Sequence, residues 1–223
     1  MGVTIDRDLN FDSHVLNICQ KANRKLSIFS RMFKYLDSDK RKLLVKSFFN
    51  SQFQYCPLIW MFHGRQVNNK INHLHERVLT MIYEYKISSF KELLEIDNWL
   101  IVHENNIKLL MIEMYKITHN LTSNSIENLF AFSTHTNYLR SQSDYLLPQI
   151  RTEYFGKNSI RYLGPVIWNS LPIDLRRVNS LSTFKSLIST WKPLNCPCRL
   201  CKDYIVNLGF LWCCFVASWS HDF

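Results

Sequence analysis

A mainly α-helical fold is predicted by three features of this sequence. Apolar residues recur at steps of three and four over long segments, the spacing that lines one side of a helix. Glycine and proline are scarce, at five and six in 223 residues, which argues against the many tight turns of an all-β fold. Hydrophobic residues make up 47% of the chain and aromatics 14%, ample for a packed core at this length. The expected architecture is a helical bundle over residues 1–120, then a small α+β region over 121–195 containing a β-hairpin. A cysteine-rich apolar tail occupies 196–223.

Residues 1–5 alternate as a short strand does, and 6–10 read as a turn. Asp12 or Ser13 then offers a side-chain acceptor to the free amides at the start of a helix. Val15, Ile18, Cys19, Ala22, Leu26, Phe29, Phe33 and Leu36 form its apolar stripe. Lys21, Arg24, Lys25, Arg31 and Lys34 largely avoid that stripe, so they belong outside. Asp37-Ser38-Asp39 caps a second helix with Leu44, Phe48, Gln52, Tyr55 and Ile59 inward, bent or ended near Pro57 and punctuated by Gly64. A third runs from about Gln66 to Tyr85 on Val67, Ile71, Leu74, Val78 and Met81 or Ile82. Ser89-Phe90-Lys91-Glu92 is a capping box for a short fourth. Val102, Asn105, Leu109, Ile112 and Lys116 or Ile117 mark a fifth, reaching His119.

Ser, Thr and Asn then dominate residues 118–136, around an apolar patch at 126–132, and read as a linker. Residues 145–154 and 159–163 have strand-like composition around Phe155-Gly156-Lys157-Asn158, which predicts the hairpin. Pro165 suits the first turn of a helix carrying Ile167 and Trp168. Ser180 caps a last helix through Leu181, Phe184, Leu187, Ile188 and Trp191.

The formal charge of +9 is unevenly spread. Residues 21–46 and 140–202 are each net +7, while 47–139 is close to neutral. Two basic regions around a neutral one point to a polyanion, with nucleic acid favoured over a membrane surface because no lipid-binding amphipathic pattern accompanies them. Solvated helix faces are the plainer explanation of the same charge. No leader pattern opens the chain, so an intracellular setting is expected, nucleus or cytoplasm, and the seven cysteines read as thiols or metal ligands. The apolar run at 208–219 is shorter than the roughly 20 residues that span a bilayer.

Cys196-x-Cys198-x-x-Cys201 places three thiolate ligands close together, and a tetrahedral zinc site needs a fourth, for which Cys213, Cys214 or His221 is available. Three unligated cysteines in a basic tail are the alternative. Asp6-x-Asp8-x-Asn10-x-Asp12 alternates oxygen ligands as a calcium loop does. Phe11 stands where that loop needs glycine and Asn17 where it needs a bidentate glutamate, so a capped turn is the better reading. His73 and His75 lie two apart on a helix and point apart. Trp60, Phe62, Trp168 and Trp191 could stack on bases, yet most fall where a core is expected. No nucleophile elbow and no glycine-rich phosphate loop occurs, so neither an enzyme nor a small-molecule substrate is expected.

Gly164-Pro165-x-Ile167-Trp168-Asn169-Ser170-Leu171-Pro172, with Leu175-Arg176, Ser180-Leu181, Phe184-Lys185 and Trp191, resembles the C-terminal region of polymerase proteins from jockey-like non-LTR retrotransposons. Gly2-Val3-Thr4-Ile5-Asp6 with Leu9, Phe11 and His14 is similar to the segment after the reverse-transcriptase palm in that family. Phe48-Phe49-Asn50-Ser51-Gln52-Phe53, Tyr55-Cys56-Pro57-Leu58, Trp60 and Leu74-His75-Glu76-Arg77 follow in the same order. The resemblance implies a truncated reverse transcriptase (RNA-directed DNA polymerase) made of the thumb and C-terminal region. The paired aspartates that hold two catalytic metals have no counterpart here, since the sequence has no Asp-Asp dipeptide. By analogy a thumb-like bundle would grip RNA or a primer-template through Lys21, Arg24, Lys25, Arg31 and Lys34, with Arg176, Arg177 and Arg199 contributing from the C-terminal part. The rival readings are a domesticated helical protein-interaction module and an unproductive retroelement remnant.

Overall fold

The computed structural model describes residues 2–62, 64–84, 89–133, 144–192 and Cys198. The chain is mainly helical, with one two-stranded antiparallel sheet among the described residues. It divides into two compact units, one from Met1 to Leu109 and one beginning at Leu110.

In the first unit, residues 2–5 form no strand. Their amides are used differently, for Thr4 N–H donates to His14 Nδ1 at 3.1 Å. Asp6 and Asn10 build the turn by accepting from the amides of Asn10 (2.9 Å) and Asp12 (3.0 Å) through their side chains. Those oxygens serve as turn acceptors, as the capped-turn reading expects. Helix α1 (Asp12–Met32) starts at Asp12, with Phe11 at the cap position in the left-handed region, φ 57°. Its stripe of Val15, Ile18, Cys19, Ala22, Leu26 and Phe29 is buried, and Phe33 extends it in a 3₁₀ turn (Phe33–Tyr35).

Asp37 caps α2 (Ser38–Leu44) by accepting the Lys40 amide at 2.9 Å. The next six residues, Val45–Asn50, wind as a wider π-helical turn before α3 (Ser51–Phe53). Here the face differs from the expected one. Val45, Phe49, Phe53 and Trp60 are buried, whereas Phe48, Tyr55 and Ile59 are exposed. Two sets of residues one position apart share the same spacing, and only the one avoiding Gln52 can be dry throughout. Pro57 opens α4 (Pro57–Trp60) at its first position, where a missing N–H costs no hydrogen bond.

Helix α5 (Arg65–Tyr83) packs along α1 on Val67, Ile71, Leu74, Val78 and Ile82. The capping box at α6 (Phe90–Ile96) is present, with Ser89 N–H donating to Glu92 Oε2 at 2.9 Å and Glu92 N–H to Ser89 Oγ at 3.3 Å. Helix α7 (Val102–Thr118) contains the division between the units. It is buried on more sides than its expected stripe, with His103, Asn106, Ile107, Met111, Met114 and Tyr115 inside.

In the second unit, α8 (Asn124–Glu127) precedes β1 (Ala131–Phe132), which pairs with β2 (Tyr145–Leu146) so that Ala131 faces Leu146 and Phe132 faces Tyr145. This corrects the expected hairpin. Residues 153–156 form a helical turn, α9 (Glu153–Gly156), and 159–163 lead into α10 (Ile160–Ser170). Leucine, isoleucine and tyrosine suit a buried helix face as well as a strand, and burial of Leu163, Gly164, Ile167 and Trp168 follows helical spacing. Pro165 lies inside α10 rather than in its first turn, and its missing N–H falls opposite the carbonyl of the exposed Arg161. After α11 (Ile173–Arg176), α12 (Leu181–Thr190) turns Phe184 and Ile188 inward, while Leu187 is exposed.

Candidate nucleic-acid interface

Helix α1 separates its charges from its core because its apolar positions repeat every three to four residues. Lys21, Arg24 and Arg31 are exposed on the outer side, and Lys34 is exposed in the turn that follows. None of these four forms an ion pair among the described residues. The next cations are engaged differently. Lys40 pairs with Asp37 at 2.7 Å, Arg41 with Glu84 at 2.5 Å, and Lys42 with Asp97 at 2.7 Å. Hydrogen bonds to those carboxylates hold the Lys40 and Lys42 amines above their ordinary range, and the Lys40 bond holds the Asp37 carboxyl below its own. Arg41 also donates to the carbonyls of Phe33 (3.0 Å), Leu36 (2.8 Å) and Ile82 (3.3 Å), closing the ends of two helices. Of one basic stretch in sequence, the structure leaves one group exposed and commits the other to the fold.

Lys25 stands between them. Its Nζ donates to the Phe48 carbonyl at 3.3 Å and lies 6.0 Å from the Phe48 ring centre. Phe48 is 50% exposed and Tyr35, beside Lys34, is 86% exposed. Sequence reasoning missed both, because it assigned Phe48 inward and sought stacking aromatics at Trp60, Phe62, Trp168 and Trp191. Trp60 and Trp168 are instead fully buried. On α5, Arg77 Nη1 donates to Asn23 Oδ1 at 3.0 Å, and Lys70 lies close enough to Cys19 to act on its thiol. These two cations widen the basic face and were hidden in a segment of near-zero net charge. Their seven-residue separation off the buried stripe signals exposure, but only packing against α1 shows which charges they join.

The second basic region is different. Arg176 is 8% exposed, bound to Asp144 Oδ2 at 3.0 Å and donating to the Leu171 carbonyl at 3.1 Å. Its guanidinium is held in a structural ion pair, which leaves less of its charge to a phosphate backbone than an exposed arginine would. Arg177 remains exposed, 3.9 Å from Asp144 Oδ1. Arg199 lies outside the described residues.

The quoted glycine-to-arginine motif is built into the same network. A Cβ on Gly164 would stand 2.8 Å from Met114 Sδ. Trp168 Nε1 donates to Asp144 Oδ2 at 3.0 Å, and Asn169 binds both backbone groups of Tyr145, accepting from its N–H at 3.2 Å and donating to its carbonyl at 2.9 Å. These residues hold β2 against α10. Their chemistry is structural.

Cys198 is buried, while Cys196, Cys201, Cys213, Cys214 and His221 lie outside the described residues. Among the described residues no group of three or more His, Cys, Asp or Glu side chains is placed to hold a metal. His73 is exposed and approaches Glu76 at 3.5 Å, while His75 is buried, so the pair diverges as helix geometry requires. No described helix is long and apolar enough to cross a membrane.

Compared with protein-family models, with curated proteins and with solved structures, the chain matches none. The labels reverse transcriptase, RNA-directed DNA polymerase and non-LTR retrotransposon are corrected accordingly, because all three comparisons leave the motif resemblance without support.

Proposed function

We propose that the outer face of α1 binds single-stranded nucleic acid, RNA foremost, by contacts to the sugar-phosphate backbone. One observation carries the reading: Lys21, Arg24, Arg31 and Lys34 are exposed and take no carboxylate partner among the described residues, whereas the neighbouring Lys40, Arg41 and Lys42 are paired. Unneutralised cations on one face attract phosphates and release counterions. Tyr35, next to Lys34, and Phe48, against Lys25, add exposed rings beside cations, the combination on which unpaired bases stack without sequence preference. Binding, not catalysis, is the function proposed.

Ile28, 59% exposed, and Met32 lie on the same face and favour a second reading, a protein partner. Fluorescence anisotropy with a short labelled single-stranded RNA separates the two. Replacing Lys21, Arg24, Arg31 and Lys34 by Ala should weaken binding at least about tenfold, roughly 1.4 kcal/mol. Undiminished affinity in that variant would overturn the nucleic-acid reading.

A further inference from the structure

The second unit carries a groove of about 110 Å³ lined by Leu129, Ala131, Leu146, Leu147 and Pro165, with Arg161 at its edge. Small-molecule and cofactor sites usually need roughly 300 Å³ or more. This one has room for about one side chain. Leu129, Leu146 and Leu147 are exposed around it, a cluster of large apolar groups that folding alone does not require at a surface. Arg161 is exposed and forms no ion pair among the described residues. It brings a single positive charge to an otherwise apolar surface.

We infer that this groove docks a short linear segment of a partner protein, in which an aliphatic or aromatic side chain is followed by a carboxylate. The anchor side chain fills the space between β1, β2 and α10, and the carboxylate pairs with Arg161. Size selects one side chain rather than a cofactor, the lining selects an apolar one, and the guanidinium selects an acidic neighbour. A nucleic-acid chain has the right charge for Arg161, but a base of that size carries hydrogen-bonding edges that this apolar lining would leave unpaired.

Blocked tetrapeptides with Leu-Glu, Phe-Glu, Leu-Lys and Ala-Glu at the centre test this on the full chain, read by NMR shifts of the Leu129 and Leu146 methyls. Leu-Glu and Phe-Glu should bind about fivefold more tightly than Leu-Lys, the scale of one solvent-exposed ion pair. Ala-Glu, which lacks the anchor, should not bind; Arg161→Glu should invert the order of the other three, and Ala131→Trp should abolish their binding while the far-ultraviolet circular dichroism is unchanged. Equal binding of Leu-Glu and Leu-Lys, an order that ignores Arg161→Glu, or no methyl shift with any peptide would overturn the inference. So would single-stranded RNA shifting those methyls while the peptides do not.

Discussion

His75 is only 1% exposed, and neither of its ring nitrogens has a hydrogen-bond partner among the described residues. Phe49, Phe90 and Trp99 surround it, with ring centres 6.2, 5.7 and 6.1 Å away. A charged imidazole is poorly solvated there, and burial lowers its pKa from 6.5 to about 4. Below pH 6.5 the unfolded chain therefore takes up a proton that the folded chain refuses until about pH 4. Stability fully present above pH 6.5 should be lost as pH falls to about 4 and level off beneath. The group is worth about 3 kcal/mol over that window. Leucine at this position removes two unpartnered polar atoms, so His75→Leu should stabilise the protein by about 1 kcal/mol near pH 7. Urea unfolding near pH 7 and near pH 5 reads both effects, and a His75→Leu protein that keeps the full pH dependence would assign it to another group.

At the scale of elements, the clearest sequence signals were those a single segment can satisfy alone. The α1 stripe and the Ser89 capping box depend on local spacing and local hydrogen bonds, and both stand as read. Ser89→Ala should cost about 1 kcal/mol by freeing the Glu92 amide, measurable by thermal or urea unfolding. The face of Val45–Asn50 was not legible, because two apolar sets compete there and long-range packing chooses between them. Neither was the sheet, since strands of two residues carry no periodicity, and β2 depends on an asparagine 24 residues away. Asn169→Ala should strip both hydrogen bonds from the Tyr145 backbone, costing about 2 kcal/mol. Asn169→Asp is the sharper variant, for it keeps the acceptor for the Tyr145 N–H and places negative charge against the carbonyl. Loss of amide protection at Tyr145 in hydrogen exchange should accompany Asn169→Ala. Wild-type protection in Asn169→Ala would mean that the strand is held elsewhere.

Over the whole molecule, two regions of equal net charge distribute their cations differently. The first gathers exposed ones along α1 and the turn after it, while the second spreads them over separate elements, with Arg161 and Lys185 exposed and Arg176 buried. Each region is net +7, and the first keeps four exposed cations outside any ion pair among the described residues. The second commits Arg176 to Asp144. Salt dependence distinguishes these uses, since only cations that release counterions from nucleic acid contribute to it. With about four phosphates neutralised on a single strand, the logarithm of the binding constant should fall against the logarithm of salt with a slope of roughly −3. Replacing Lys21, Arg24 and Arg31 by Ala should reduce the slope to about −1 and leave unfolding unchanged, because exposed cations add little to stability. Replacing Tyr35 or Phe48 by Ala should lower affinity by about 1 kcal/mol or more with the slope retained, as stacking releases no counterions. Arg176→Ala should do the opposite, keeping the slope while destabilising the fold by about 3 kcal/mol, because among the described residues the half-buried Asp144 carboxylate then keeps only the Trp168 N–H and the more distant Arg177. A slope that falls in Arg176→Ala, or that survives the triple substitution, would move the interface off α1.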